Sequence, residues 1–248
     1  MNKKIIIFNW KMAPQSFREA KRLLTYYKQQ TTNDKNSEIV ICPPFIYLEN
    51  LKLKNKNLKF SAQDVFWENP AAGKGAYTGE ISAKMLKNIG VEYVIIGHSE
   101  RRKYLNETDE TINKKIKVAF KAGLKVILCV GELKRKSGIK QAKNYIRKQL
   151  EKDLKEISKS SINNLLVAYE PVWAIGTGNF CCSENALEMI IFIKNILNLL
   201  FKNNKCRVLY GGSVDSKNIK DFLRYKEING VLIGSASLKL KEIEKILK

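Results

Sequence analysis

The 248-residue chain has one histidine, His98, which rules against sites built from several imidazoles, as many metal-dependent enzymes require. Its cysteines number five (Cys42, Cys129, Cys181, Cys182 and Cys206), an odd, scattered set without CxxC spacing. Neither a disulfide framework nor a structural zinc site fits that pattern, whereas reduced thiols in a cytoplasmic protein do. Cys181 and Cys182 are adjacent, but two ordinary thiols are a simpler reading than a strained redox pair. No apolar run approaches the roughly 18 residues of a membrane span. The opening Met1-Asn2-Lys3-Lys4, followed by Ile5-Ile6-Ile7-Phe8, is too short for a signal segment and lacks a small-residue cleavage site. The expectation is a soluble, cytoplasmic protein with no membrane partner.

Acidic residues are also scarce. Asp and Glu total 24 against 45 Lys and Arg, a net charge of +21. So basic a chain could bind nucleic acid or attract anionic substrates. Distribution separates the two: lysines lie along the whole chain, with no compact arginine-aromatic cluster and no recognisable nucleic-acid-binding motif. They read as solvated helix faces, and no nucleic-acid partner is expected.

What is present is alternation. Short β-branched runs fall at 4–9, 38–42, 58–62, 92–96, 124–130, 164–168, 206–210 and 229–233. Amphipathic stretches lie between them: 16–30 puts Phe17, Ala20, Leu23, Leu24 and Tyr27 on one face, and 183–202 has apolar residues at 187, 190, 191 and 197. Strand-helix alternation implies a parallel sheet with right-handed crossovers, and eight units favour closure into a (β/α)8 barrel. No linker divides the chain, so one α/β domain over 1–248 is expected. The longest irregular stretch is Gln63 to Thr78. In such a barrel chemistry gathers at the C-terminal ends of the strands.

The strand ends are informative. Asn9-Trp10-Lys11 follows the first and would place an amide and an ammonium at the mouth, although a surface lysine beside a packing tryptophan reads equally well. Strand four runs into Gly97-His98-Ser99-Glu100-Arg101-Arg102. A lone histidine is more often structural, but this one opens a helix whose free N–H groups favour a neutral ring able to donate to a substrate carbonyl. Strand six ends in Glu170, followed by Pro171-Val172-Trp173-Ala174-Ile175-Gly176-Thr177-Gly178. Closing Val172, Trp173 and Ile175 over Glu170 would exclude water, which suits a general base, with Pro171 and Gly176/Gly178 as hinges. The bland alternative is a glutamate that caps the loop. Tyr210-Gly211-Gly212-Ser213-Val214 and Gly234-Ser235-Ala236-Ser237 follow strands seven and eight, where small residues let backbone N–H groups approach a phosphate.

Taken together, Asn9-Trp10-Lys11, Gly97 to Arg102, Tyr169 to Gly178 and Tyr210 to Val214 resemble the signature segments of the triosephosphate isomerases, in the family's order and across the whole chain. The resemblance implies a single-domain TIM barrel that interconverts dihydroxyacetone phosphate and glyceraldehyde 3-phosphate in glycolysis and gluconeogenesis. The route implied is an enediolate formed with no cofactor and no metal. It further implies Glu170 as the proton carrier, His98 as neutral electrophile, Lys11 as stabiliser of enediolate and phosphate charge, and Asn9 as orienter of a substrate oxygen. Phosphate contacts carry over to the N–H groups of Gly176, Ser213, Gly234 and Ser235. At the last of these the family more often has glycine, so phosphate affinity is the property this serine touches. Supporting roles carry over to Ser99, Glu100, Tyr210 and Glu132, the last as partner of the loop tryptophan. The long loop from Gln63 resembles one that places a threonine, here Thr78, beside a neighbouring subunit's site, which implies a homodimer. Within that loop Asp64 stands where asparagine is frequent, and Trp67 adds an aromatic for an interface. The competing readings are a Schiff-base aldolase, a metal-dependent epimerase and a basic binding protein. A Schiff-base aldolase needs a desolvated barrel lysine opposite the carbonyl; a metal-dependent epimerase needs several histidine or carboxylate ligands, which one histidine rules against in most cases; and a binding module would not need Glu170 under a closing loop.

Overall fold

The computed structural model describes residues 3–31, 37–51, 58–68, 75–133, 138–174 and 181–248. Eight parallel strands close into one barrel in sequence order: β1 (Lys4–Asn9), β2 (Ser37–Cys42), β3 (Leu58–Ala62), β4 (Tyr93–Ile96), β5 (Lys125–Val130), β6 (Leu165–Tyr169), β7 (Arg207–Tyr210) and β8 (Gly230–Ile233). Closure is by β1 against β8, with Ile5 opposite Gly230 and Phe8 opposite Ile233. The fold is the (β/α)8 TIM barrel, and the strand positions agree with the β-branched runs to within a residue or two at each end.

Alternation along each strand divides the core. Ile5, Ile7, Val40, Cys42, Ile95, Ile127, Cys129, Leu166, Ala168, Leu209 and Leu232 fill the barrel interior together with Tyr93. The intervening Ile6, Phe8, Ile39, Ile41, Val94, Ile96, Val126, Leu128 and Val208 face outward under the helices. Period-two patterning of apolar residues on both faces is what a sheet covered on both sides requires. Gly230 shows how tightly the seam closes, since a Cβ there would lie 1.9 Å from the carbonyl oxygen of Ile5.

Helices that matter for the site are α1 (Phe17–Thr31), α2 (Phe45–Leu51), α3 (Ala83–Asn88), α4 (Ser99–Tyr104), α5 (Asp109–Lys121), α6 (Ile139–Asp153) and α7 (Ser183–Leu200). They are completed by α8 (Ile219–Leu223) and α9 (Leu240–Leu247). Two sequence expectations need correction. In α1, Ala20, Leu23, Leu24 and Tyr27 are buried, but Phe17 is exposed, because it sits in the first turn before the helix settles on the barrel. In α7 the buried stripe is Ala186, Met189, Ile190, Ile193, Ile196 and Leu197, with Ile191 exposed, since a helix this apolar leaves the burying face ambiguous. No helix among the described residues is long and apolar enough to cross a membrane.

Candidate active site

The strand-end residues converge. One cleft at the C-terminal mouth is lined by Asn9, Lys11, His98, Glu170, Leu232, Gly234, Ser235 and the run Gly211 to Val214. Gly176 and the rest of 175–180, including Ile175 and Gly178, lie outside the described residues.

Lys11 follows β1 with φ +55°, a left-handed backbone that costs a non-glycine residue roughly 1–2 kcal/mol. Two buttresses hold it there. Its N–H donates to Asn9 Oδ1 at 2.9 Å, and its carbonyl accepts from Gln63 Nε2 at 2.8 Å. The same Gln63 amide donates to the carbonyl of Cys42, so the residue after β3 locks the ends of β1 and β2. Sequence reading missed Gln63 as a functional residue, although its place directly after a strand end was the available signal. The ammonium of Lys11 meets Glu100 Oε1 at 2.5 Å. Both side chains are partly exposed, so the pair orients Lys11 more than it stabilises the fold.

His98 caps the N-terminus of α4, and Gly97 before it has φ +73°. A side chain at position 97 would also press on Arg102, 3.0 Å from the built Cβ, so glycine is required twice over. His98 Nδ1 accepts from the N–H of Glu100 at 3.2 Å. An accepting Nδ1 carries no proton, which assigns the ring proton to Nε2. That nitrogen lies 3.3 Å from Glu170 Oε1, and the other carboxylate oxygen accepts from Ser99 N–H at 3.2 Å. Glu170 and His98 are therefore in contact, both buried.

Glycines shape the walls around Glu170. A Cβ on Gly131 would fall 1.8 Å from its carbonyl oxygen, and one on Gly211 would fall 2.9 Å from its Cγ. Cys129 lies beside it, and burial together with the Glu170 carboxylate pushes this thiol well up. No disulfide joins any of the five cysteines, all of which lie among the described residues. Behind the site, Glu132 Oε1 accepts from Tyr169 Oη at 3.0 Å and from Trp173 Nε1 at 2.8 Å. After Pro171, Val172–Ala174 form a single 3-10 turn that Trp173 ties to Glu132.

The opposite wall is made of main chain. Ser213, Gly234 and Ser235 line the same cleft as Lys11, and a Cβ on Gly234 would come 3.1 Å from Lys11 Cε. Ser235 begins a 3-10 turn, and its φ is not in the left-handed region, so serine sits there without strain. Tyr210 is buried with its ring stacked on Phe222, centroids 4.1 Å apart. Its hydroxyl occupies the space that a side chain at Gly212 would need. Thr78 does not line this chain's cleft; it lies exposed in the turn closed by Glu80 N–H and Tyr77 O. No group of three or more metal-ligating side chains occurs among the described residues.

A family model described as triosephosphate isomerase matches residues 4–248. The chain belongs to the triosephosphate isomerase family. Similar proteins called triosephosphate isomerase include that of Thermodesulfovibrio yellowstonii, 45% identical over 252 residues and covering all of both chains. Those of Alkaliphilus oremlandii and Dictyoglomus turgidum are 44% and 43% identical, covering 98% and 96% of this chain and 97% and 96% of their own. Within the triosephosphate isomerase family, then, the cleft holding Glu170, His98 and Lys11 is the candidate active site.

Proposed function

We propose that this chain interconverts dihydroxyacetone phosphate and glyceraldehyde 3-phosphate through an enediolate, with Glu170 as the proton carrier. The observation that carries the roles is the contact of Glu170 Oε1 with His98 Nε2 in a cleft walled by Lys11 and the turns after β7 and β8. With the phosphate on the backbone N–H groups of Ser213, Gly234 and Ser235, the carbonyl end of a triose points toward His98 and Lys11. Glu170 then removes a proton from the carbon next to the carbonyl. His98 Nε2–H donates to the oxygen on which charge develops, and Lys11 opposes that charge electrostatically. Returning the proton to the former carbonyl carbon, while a proton passes by way of His98 from the former hydroxyl oxygen to the former carbonyl oxygen, completes the isomerisation and restores every group. Asn9 holds Lys11 in its left-handed conformation. No step calls for a metal or organic cofactor.

The same reading extends to assembly and place. Apolar side chains are exposed on consecutive barrel segments: Met12 after β1, Ile46 after β2, Tyr77 after β3 and Met85 before β4. A second copy covering that side, with Thr78 reaching the partner's mouth, is the homodimer we propose, acting in the cytoplasm. Light scattering on the purified chain should return twice the 28.4 kDa chain mass.

A coupled assay for glyceraldehyde 3-phosphate formation tests the activity. Glu170→Gln keeps the shape and removes the base, so kcat should fall by about 10²–10⁴ with little change in affinity for a phosphate analogue. Turnover near wild type would overturn the assignment.

A further inference from the structure

Asp64 sits in a buried ionic cluster beside the helix of His98. Asp64 follows β3 and is 7% exposed. Its two oxygens lie 2.8 and 2.7 Å from Lys115 Nζ on α5, and Oδ2 lies 2.8 Å from Arg101 Nη2 on α4. Glu107, in the α4–α5 connection, takes the same two cations: Arg101 Nε at 2.5 Å and Lys115 in a short contact. Two carboxylates and two cations thus face one another with no net charge. Their elements are the root of the long third loop, the histidine helix and the helix behind it.

Arg101 ties this cluster to the chemistry. Its N–H donates to the carbonyl of His98 at 2.9 Å, one turn away, and it directly follows Glu100, whose N–H holds His98 Nδ1. Pulling on the guanidinium therefore turns the short helix that presents His98, the Ser99 N–H and Glu100. We propose that Asp64 is a positioning residue for the isomerisation, holding α4 through Arg101 so that His98 and the Ser99 N–H stay aligned with Glu170. This rests on the roles given above to His98 and Glu170.

Stability is not what the charge supplies. Burial pushes the Asp64 carboxyl up to about 6, against the pull of Lys115 and Arg101 and with Glu107 adding to the rise. A carboxyl raised in the folded chain contributes stability that is full below its unfolded pKa and lost as pH rises through about 6. At pH 8 the ionised group is therefore held at a cost to stability, and the return is position. Displacements of about 1 Å at reacting groups cost up to roughly a hundredfold in rate.

The experiment compares wild type with Asp64→Ala and Asp64→Asn in the full-length chain, as kcat against pH, with inorganic phosphate as a competitive probe of the binding side. Asp64→Ala should lower kcat at pH 8 about tenfold while changing phosphate inhibition less than about twofold. Asp64→Asn imitates the protonated carboxyl. The ratio of wild-type to Asp64→Asn kcat should therefore be several-fold at pH 8 and fall to about one by pH 5. A ratio constant across that range, or a folded Asp64→Ala within twofold of wild type, would overturn the proposal; if Asp64→Ala does not fold, the pH ratio decides alone. A wild type without isomerase activity would instead overturn the reading on which this rests.

Discussion

The two walls of the mouth solve different problems with different material. On the β4–β6 side two side chains meet: His98 Nε2 stands 3.3 Å from one oxygen of Glu170, whose other oxygen accepts from the backbone N–H of Ser99 at 3.2 Å. On the β7–β8 side the cleft is lined by the small residues Ser213, Gly234 and Ser235, together with Lys11. A group that moves protons needs one atom in one place, whereas a dianionic phosphate can be held by several N–H groups whose side chains are incidental. Substitution should thus be costly in kcat on the first wall, and on the second wall costly mainly where charge or backbone is lost.

Beyond the loss expected for Glu170→Gln, the largest effect should come from His98→Gln. Removing the ring leaves the carbonyl oxygen without its donor, so kcat should fall about a hundredfold, with KM changed far less. A steady-state titration of both constants distinguishes this from a binding defect. Lys11→Met tests the other wall. Loss of a charge-assisted contact to phosphate should weaken a dianionic competitive inhibitor by roughly ten- to a hundredfold, measured as Ki. An unchanged Ki would reduce Lys11 to a surface charge. The smallest effect belongs to Ser235→Gly, since the contact is main-chain and the serine is unstrained. Its Ki should stay within about threefold of wild type. A larger change in either direction would mean that the hydroxyl, and not only the N–H, meets the phosphate.

Legibility followed the same division. Strands declared themselves through β-branched runs, and the rule that chemistry collects at their C-terminal ends led to Asn9, Lys11, His98, Glu170 and the glycine turns. Patterning failed where burial is not apolar. Lys115 and Asp153 are buried charges, which a period-based reading assigns to solvent, and only the folded barrel shows them paired. Asp153 meets Arg102 at 2.7 Å, and burial pushes its carboxyl up to about 7. Adjacent arginines on one short helix thus reach opposite ways, Arg101 to Asp64 and Arg102 to Asp153, a fact of three-dimensional direction that no one-dimensional spacing encodes. Phe17 and Ile191 were misplaced for a related reason: helical periodicity fixes which residues share a face, but the barrel fixes how far along the helix that face stays covered.

His98 is the sole imidazole in the chain, and its Nδ1 is occupied by the Glu100 N–H. For nuclear magnetic resonance this makes the enzyme its own isotopic reporter. Labelling histidine with ¹⁵N gives two ring signals and no others, so the tautomer can be read without assigning any other residue. The unprotonated Nδ1 should resonate far from the protonated Nε2, and the Nε2 proton should shift when a substrate analogue accepts from it. One spectrum of the free chain and one of the complex would follow the hydrogen bond on which the proposed proton transfer turns.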